Sequence, residues 1–140
     1  MVKVLQEIRF GETVYAIILR SQFERPGIEF FTPSDFSQQL GYMNREKGYV
    51  IDPHIHKPVS REVHFTKEVL FIKSGLVRVD FYKEDRSFLC SEDLHAGDVI
   101  LLAHGGHGFE MLENSEIIEV KQGPYAGDLD KERFKPAVTI

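Results

Sequence analysis

A chain of 140 residues with 17 Lys and Arg against 22 Asp and Glu has a formal net charge of −5 and is long enough to bury the core of one domain. It carries no Lys/Arg run able to grip a phosphate backbone, which argues against nucleic acid as a partner. Lys3, Glu7 and Arg9 interrupt any secretory stretch, and the apolar run Val14 to Leu19 falls far short of the roughly 20 residues a bilayer requires. The lone Cys90 excludes an internal disulfide and suits a reducing compartment, so the expectation is a soluble cytoplasmic protein with no membrane partner.

In chain order the signal is β almost throughout. Short runs rich in Val, Ile, Phe and Tyr recur between turn residues, the pattern of a sandwich or barrel. The predicted strands are Glu12 to Arg20, Ile28 to Phe31, Gly48 to Ile51, Val69 to Ile72, Leu76 to Tyr82, Val99 to Leu102 and Ile117 to Lys121. Arg25-Pro26-Gly27 and Thr32-Pro33-Ser34 punctuate the N-terminal third. Ser74-Gly75 reads as a tight hairpin turn, Lys83 to Arg86 as a charged solvent turn, and Ala96-Gly97-Asp98 as a further break. From Asp128, a candidate N-cap, through Phe134 the tail suggests a short helical turn. There is no internal repeat, low-complexity tract or long linker.

The chemistry concentrates in histidines and one glutamate. His54-Ile55-His56 follows the extended run Gly48 to Pro53, and residues at i and i+2 of a strand point the same way. A third imidazole and a carboxylate added to such a pair make an N3O set suited to one divalent metal. On a strand beginning at Glu68, that carboxylate shares a face with Leu70 and Ile72, so it is turned toward a core. Burying an ionised carboxylate is costly without a compensating cation or hydrogen bonds. His107 likewise shares a face with Phe109 and Met111.

The spacing of Gly48, His54, His56, Glu68 and Gly75 resembles the first motif of the cupin superfamily, and that of Gly97, Ala103, Gly105 and His107 resembles its second. The likeness spans roughly residues 40 to 121. It implies an antiparallel jelly-roll β-barrel with extra N-terminal strands, in a single domain over residues 1–140. In that scheme residues 1–40 are the extension, 41–121 the core barrel and 122–140 the tail. In similar proteins the extension often builds a homodimer. It also implies one metal held by His54, His56, Glu68 and His107.

Two departures stand out. Eleven residues, Lys57 to Lys67, separate the second histidine from the glutamate, where a much shorter gap is usual. The second motif has Ala103 where proline is usual, and its histidine arrives one residue early. The long gap opens a rival register, because Glu62, His64 and Glu68 are spaced like the end of the first motif. The Gly48 spacing favours His54 and His56.

Thiolates are absent, and three imidazoles with a carboxylate leave a position open for water or substrate on Fe, Mn, Zn, Ni or Co. The expected activity is that of a mononuclear metalloenzyme acting on a small polar organic molecule, with the reaction unassigned. One alternative resembles the metal-independent epimerases and ketoisomerases of nucleotide sugars, with histidine as proton carrier. Another is a non-catalytic ligand-binding or sensor module. Arg61, Arg78 and Lys121 are the cations placed to meet a carboxylate or phosphate, Arg61 through bidentate capture. His95 and His104 read as turn and loop histidines, and Cys90 as a small buried or half-buried residue rather than a nucleophile.

Overall fold

The computed structural model describes residues 3–136. Ten strands run in the order β1 (Leu5–Phe10), β2 (Thr13–Leu19), β3 (Gly27–Phe30), β4 (Gly41–Asn44), β5 (Glu68–Ser74), β6 (Leu76–Tyr82), β7 (Phe88–His95), β8 (Val99–Leu102), β9 (Gly106–Met111) and β10 (Glu116–Lys121). Every pairing is antiparallel. The chain divides into two compact units, one formed by residues 1–23 and 65–140 and the other by residues 24–64.

The first unit holds a five-stranded sheet in the order β1-β2-β8-β5-β10 and a three-stranded sheet in the order β7-β6-β9. Both contribute to one core: Ile18, Leu70, Ile72, Ile100 and Leu102 from the first sheet meet Val77, Val79, Phe81 and Leu94 from the second. β6 alternates strictly, with Val77, Val79 and Phe81 inward and Arg78, Asp80 and Tyr82 outward. Such period-two burial is what a sheet with one wet face requires. β2 instead buries Ala16, Ile17 and Ile18 completely, as expected of an interior strand covered on both faces. The fold is all-β and antiparallel, and among the described residues its strands form separate sheets.

The second unit is built on the β3–β4 pair, in register from Gly27 opposite Asn44 to Phe30 opposite Gly41. The rest of this unit, including the whole stretch from residue 45 to its end, has no regular element.

Three expectations change here. The predicted strand Gly48 to Ile51 does not form. Strand-like side chains are insufficient without a neighbouring backbone to satisfy the ladder, and Tyr49 instead donates its N–H to the Glu46 carbonyl in a turn. Ser74-Gly75 is not a hairpin turn, because β5 and β6 lie in different sheets. It is a corner that carries the chain from one sheet to the other, with Gly75 at φ +92°. Within residues 1–40, β1 and β2 pair with each other, and β2 pairs with β8 in the large sheet. The helical turn is a single 3-10 turn over Gly127–Leu129 that starts from Ala126 rather than from an Asp128 cap. β1, β4 and β7 are strands that the sequence pattern did not mark, and β9 was implied only by the shared face of His107, Phe109 and Met111.

A buried ion pair fixes the end of the first unit where β2 stops and β8 begins. Asp98, 1 % exposed, accepts the Ser21 N–H at 2.9 Å, the His95 N–H at 2.8 Å and the Arg20 guanidinium at 2.9 Å. Arg20 also donates to Gln6, Glu92 and the Asp93 carbonyl. An open cleft of about 520 Å³ lies beside this network, lined by Lys3, Gln6, Arg20, Gln22, Glu92, His95 and Asp98. Most of its charged groups are already spent on one another.

Candidate functional site

At the opposite end of the first unit, ionisable groups face inward from both sheets. Glu68 opens β5, opposite Leu102 of β8 and Lys121 of β10. Leu70 and Ile72 on the same face are 6 % and 1 % exposed, so the inward parity expected for Glu68 is found. His107 lies opposite Phe81 on β9, with Phe109 opposite Val79 and Met111 opposite Val77, so it too faces inward. The register thus brings Glu68 and His107 together from different sheets, with Nε2 of the imidazole 3.8 Å from a carboxylate oxygen. Their side chains keep 20 % and 27 % of their surface exposed, which makes this a mouth rather than a sealed core.

The sequence pattern did not single out Glu119. It stands on the inward face of β10, opposite Leu70 and diagonal to Glu68. The parity test that marked Glu68 would have found it, because Glu119 shares its face with the core-packed Ile117. Burial raises the Glu68 carboxyl to about 7, helped by a hydrogen bond and like charge from Glu119 and opposed by Lys121 and Lys131. Burial also lowers the proton affinity of His107, with Glu119 acting the other way. The centre therefore pairs a carboxylate that is costly to ionise with an imidazole that is costly to protonate. Lys121, expected to meet an anion, lies beside this pair, with Nζ 3.9 Å from Glu119.

The other candidates lie elsewhere. Arg78 is on the outward face of β6, paired with Asp80 at 3.1 Å and Glu110 at 2.6 Å. His54, His56, Arg61, Glu62 and His64 belong to the second unit, in its irregular stretch. The His54 and His56 rings meet edge to face with centroids 5.2 Å apart. Nδ1 of His54 donates to the Asp52 carbonyl at 2.9 Å, since a carbonyl can only accept. That leaves Nε2 of His54 with its lone pair outward, the tautomer a metal ligand needs.

His64 stands 3.9 Å from Glu62, both well exposed. No strand runs through residues 62–66, so the shared-face spacing behind the rival register has no strand to act on. His104 pairs with Glu84 and packs edge-on against Tyr15. Burial, then Glu92, raises the Cys90 thiol, the opposite of what a nucleophile requires.

Among the described residues, no group of three or more His, Cys, Asp and Glu side chains is gathered in a form that could hold an ion. Each unit contributes one pair of the four expected ligands. Also among these residues, no helix is long and apolar enough to cross a membrane. No protein-family model matches this chain, and neither the curated proteins nor the solved structures contain a match.

Proposed function

We propose that this protein is a jelly-roll protein of cupin type that holds one divalent metal through His54, His56, Glu68 and His107. Acting as a homodimer, it transforms a small polar organic molecule at that centre. The observation that carries this reading is the Glu68–His107 pair, 3.8 Å apart and turned inward from two sheets at an open end. A half-buried carboxylate facing a second carboxylate, with its pKa raised despite Lys121 and Lys131, would gain from a bound cation. An imidazole whose protonation burial disfavours and a carboxylate, with no thiolate, fit Fe(II), Mn(II), Co(II), Ni(II) or Zn(II).

His54 and His56 would complete the set, and the fixed tautomer of His54 suits that role. A metal so bound would polarise a carbonyl or activate water. Around it, Phe109 would give the mouth an apolar wall, and Lys121 would receive an anionic group of the substrate. Elemental analysis of protein purified without chelator tests this. One metal per chain in the parent and in His64→Ala, with loss in His54→Ala, His56→Ala, Glu68→Ala and His107→Ala, supports it. A metal-free parent overturns it.

A second reading is favoured by the same pair. A carboxyl beside an imidazole, with Glu119 and Lys121 adjacent, can pass a proton without any metal. Turnover that survives complete metal removal but not His107→Ala would select it.

A further inference from the structure

We infer that residues 130–136 form a strap that closes the mouth between β5–β10 and β6–β9 and must lift for a ligand to enter. The inference rests on reading that end of the first unit as the binding site. Four strand ends meet there: Glu68 begins β5, Lys121 ends β10, Tyr82 ends β6 and Gly106 begins β9. After the Gly127–Leu129 turn, the chain crosses from one sheet to the other. Asp130 accepts a hydrogen bond from the hydroxyl of Thr66, just before β5. Glu132 pairs at 3.1 Å with Arg86, in the turn between β6 and β7. Phe134 then lies on the outward face of the second sheet, its ring edge-on to Tyr82 with centroids 5.4 Å apart. The Arg86 guanidinium stands 5.4 Å over the same Phe134 ring.

The anchors lie on both sides of the opening, so the segment spans it. Lys131, between the first two anchors, projects its charge onto Glu68. The far anchor is shaped for its occupant: a Cβ at Gly106, the neighbour of His107, would stand 2.8 Å from Phe134. Yet the segment joins no sheet and no helix, and its named contacts are made by side chains. An exposed ion pair such as Arg86–Glu132 contributes little. A segment so held opens at small cost relative to the strands beneath it.

The test is the rate at which diethyl pyrocarbonate acylates His107, followed by peptide mass spectrometry in chelator-treated protein, where no metal shields the imidazole. His95, exposed at the opposite end, serves as the internal reference. In Glu132→Arg, a reversal at a well-exposed side chain, and in a chain ending at Leu129, His107 should react about fivefold faster or more, with His95 unchanged. Equal His107 rates in the parent and Glu132→Arg overturn the strap. If the shortened chain loses its fold, both histidines accelerate together and Glu132→Arg decides. Metal content does not enter this measurement, so the strap and the metal centre can fail separately.

Discussion

The carboxyls of Glu68 and Glu119 stand diagonally across the β5–β10 ladder on the face turned to the core, and Glu119 makes Glu68 harder to ionise. In a sheet, neighbours on one face are obliged to interact, and like charges there destabilise. Lys121 and Lys131 oppose that repulsion at Glu68.

Stability should therefore fall as pH rises across the Glu68 titration. The group starts from an ordinary value of 4.5 and stands at about 7 when folded, so between these the folded chain binds more protons. Stability is lost over that interval, and the full penalty is present above about 7. In Glu119→Gln the Glu68 value moves down, and the variant gains on the parent by about 1.4 kcal/mol for each pH unit of that movement. Urea unfolding of both proteins at acidic and alkaline pH measures this. A parent–variant difference that ignores pH would show that Glu119 does not act on Glu68.

Metal affinity should weaken below neutrality for the same reason. A carboxylate ligand must be deprotonated, so one pH unit below the Glu68 value lowers affinity roughly tenfold. Burial has already lowered the proton affinity of His107, so its protonation competes with the metal less than an ordinary imidazole's would. Competition against a chromophoric chelator at about pH 6 and pH 8 measures the ratio. Equal affinities would remove Glu68 from the coordination set.

Asp98→Ala should cost about 3–5 kcal/mol, the range for breaking a buried pair. The substitution strands the Arg20 guanidinium, itself 10 % exposed, and leaves the Ser21 and His95 N–H groups without their acceptor. Asp98→Asn keeps one acceptor oxygen and should cost less. Chemical denaturation ranks the three proteins, and two equally mild variants would contradict the role given to this pair.

Gly75→Ala should destabilise by about 1–3 kcal/mol from backbone strain alone, since φ is +92°. The added methyl would also lie 2.2 Å from the Ser115 hydroxyl and 2.4 Å from the Asn114 carbonyl. The corner between β5 and β6 would have to open. Thermal unfolding tests it, against Gly11→Ala, a positive-φ glycine with open space around it. A loss no larger than that of Gly11→Ala would mean the corner is not packed as described.

Much of the β architecture was legible from period-two burial. Leu76 to Tyr82 and Val99 to Leu102 coincide with β6 and β8, and the inward parity of Glu68 and His107 holds in both sheets. β7 was missed because Cys90-Ser91-Glu92-Asp93 looks polar, yet it pairs along the whole of β6. Gly48 to Ile51 was misread for the converse reason, since its side chains suit a strand while no described strand pairs with its backbone.

By itself the sequence determined which side chains share a face, because alternation along a strand is a local property of the backbone. It therefore marked Glu68 and His107 as inward. Which strands become neighbours was decided only in the tertiary structure, because hydrogen bonds and core burial are satisfied between segments far apart in the chain. That pairing set Glu119 against Glu68, put Arg78 on the outward face, turned Ser74-Gly75 into a corner and brought Glu68 within 3.8 Å of His107.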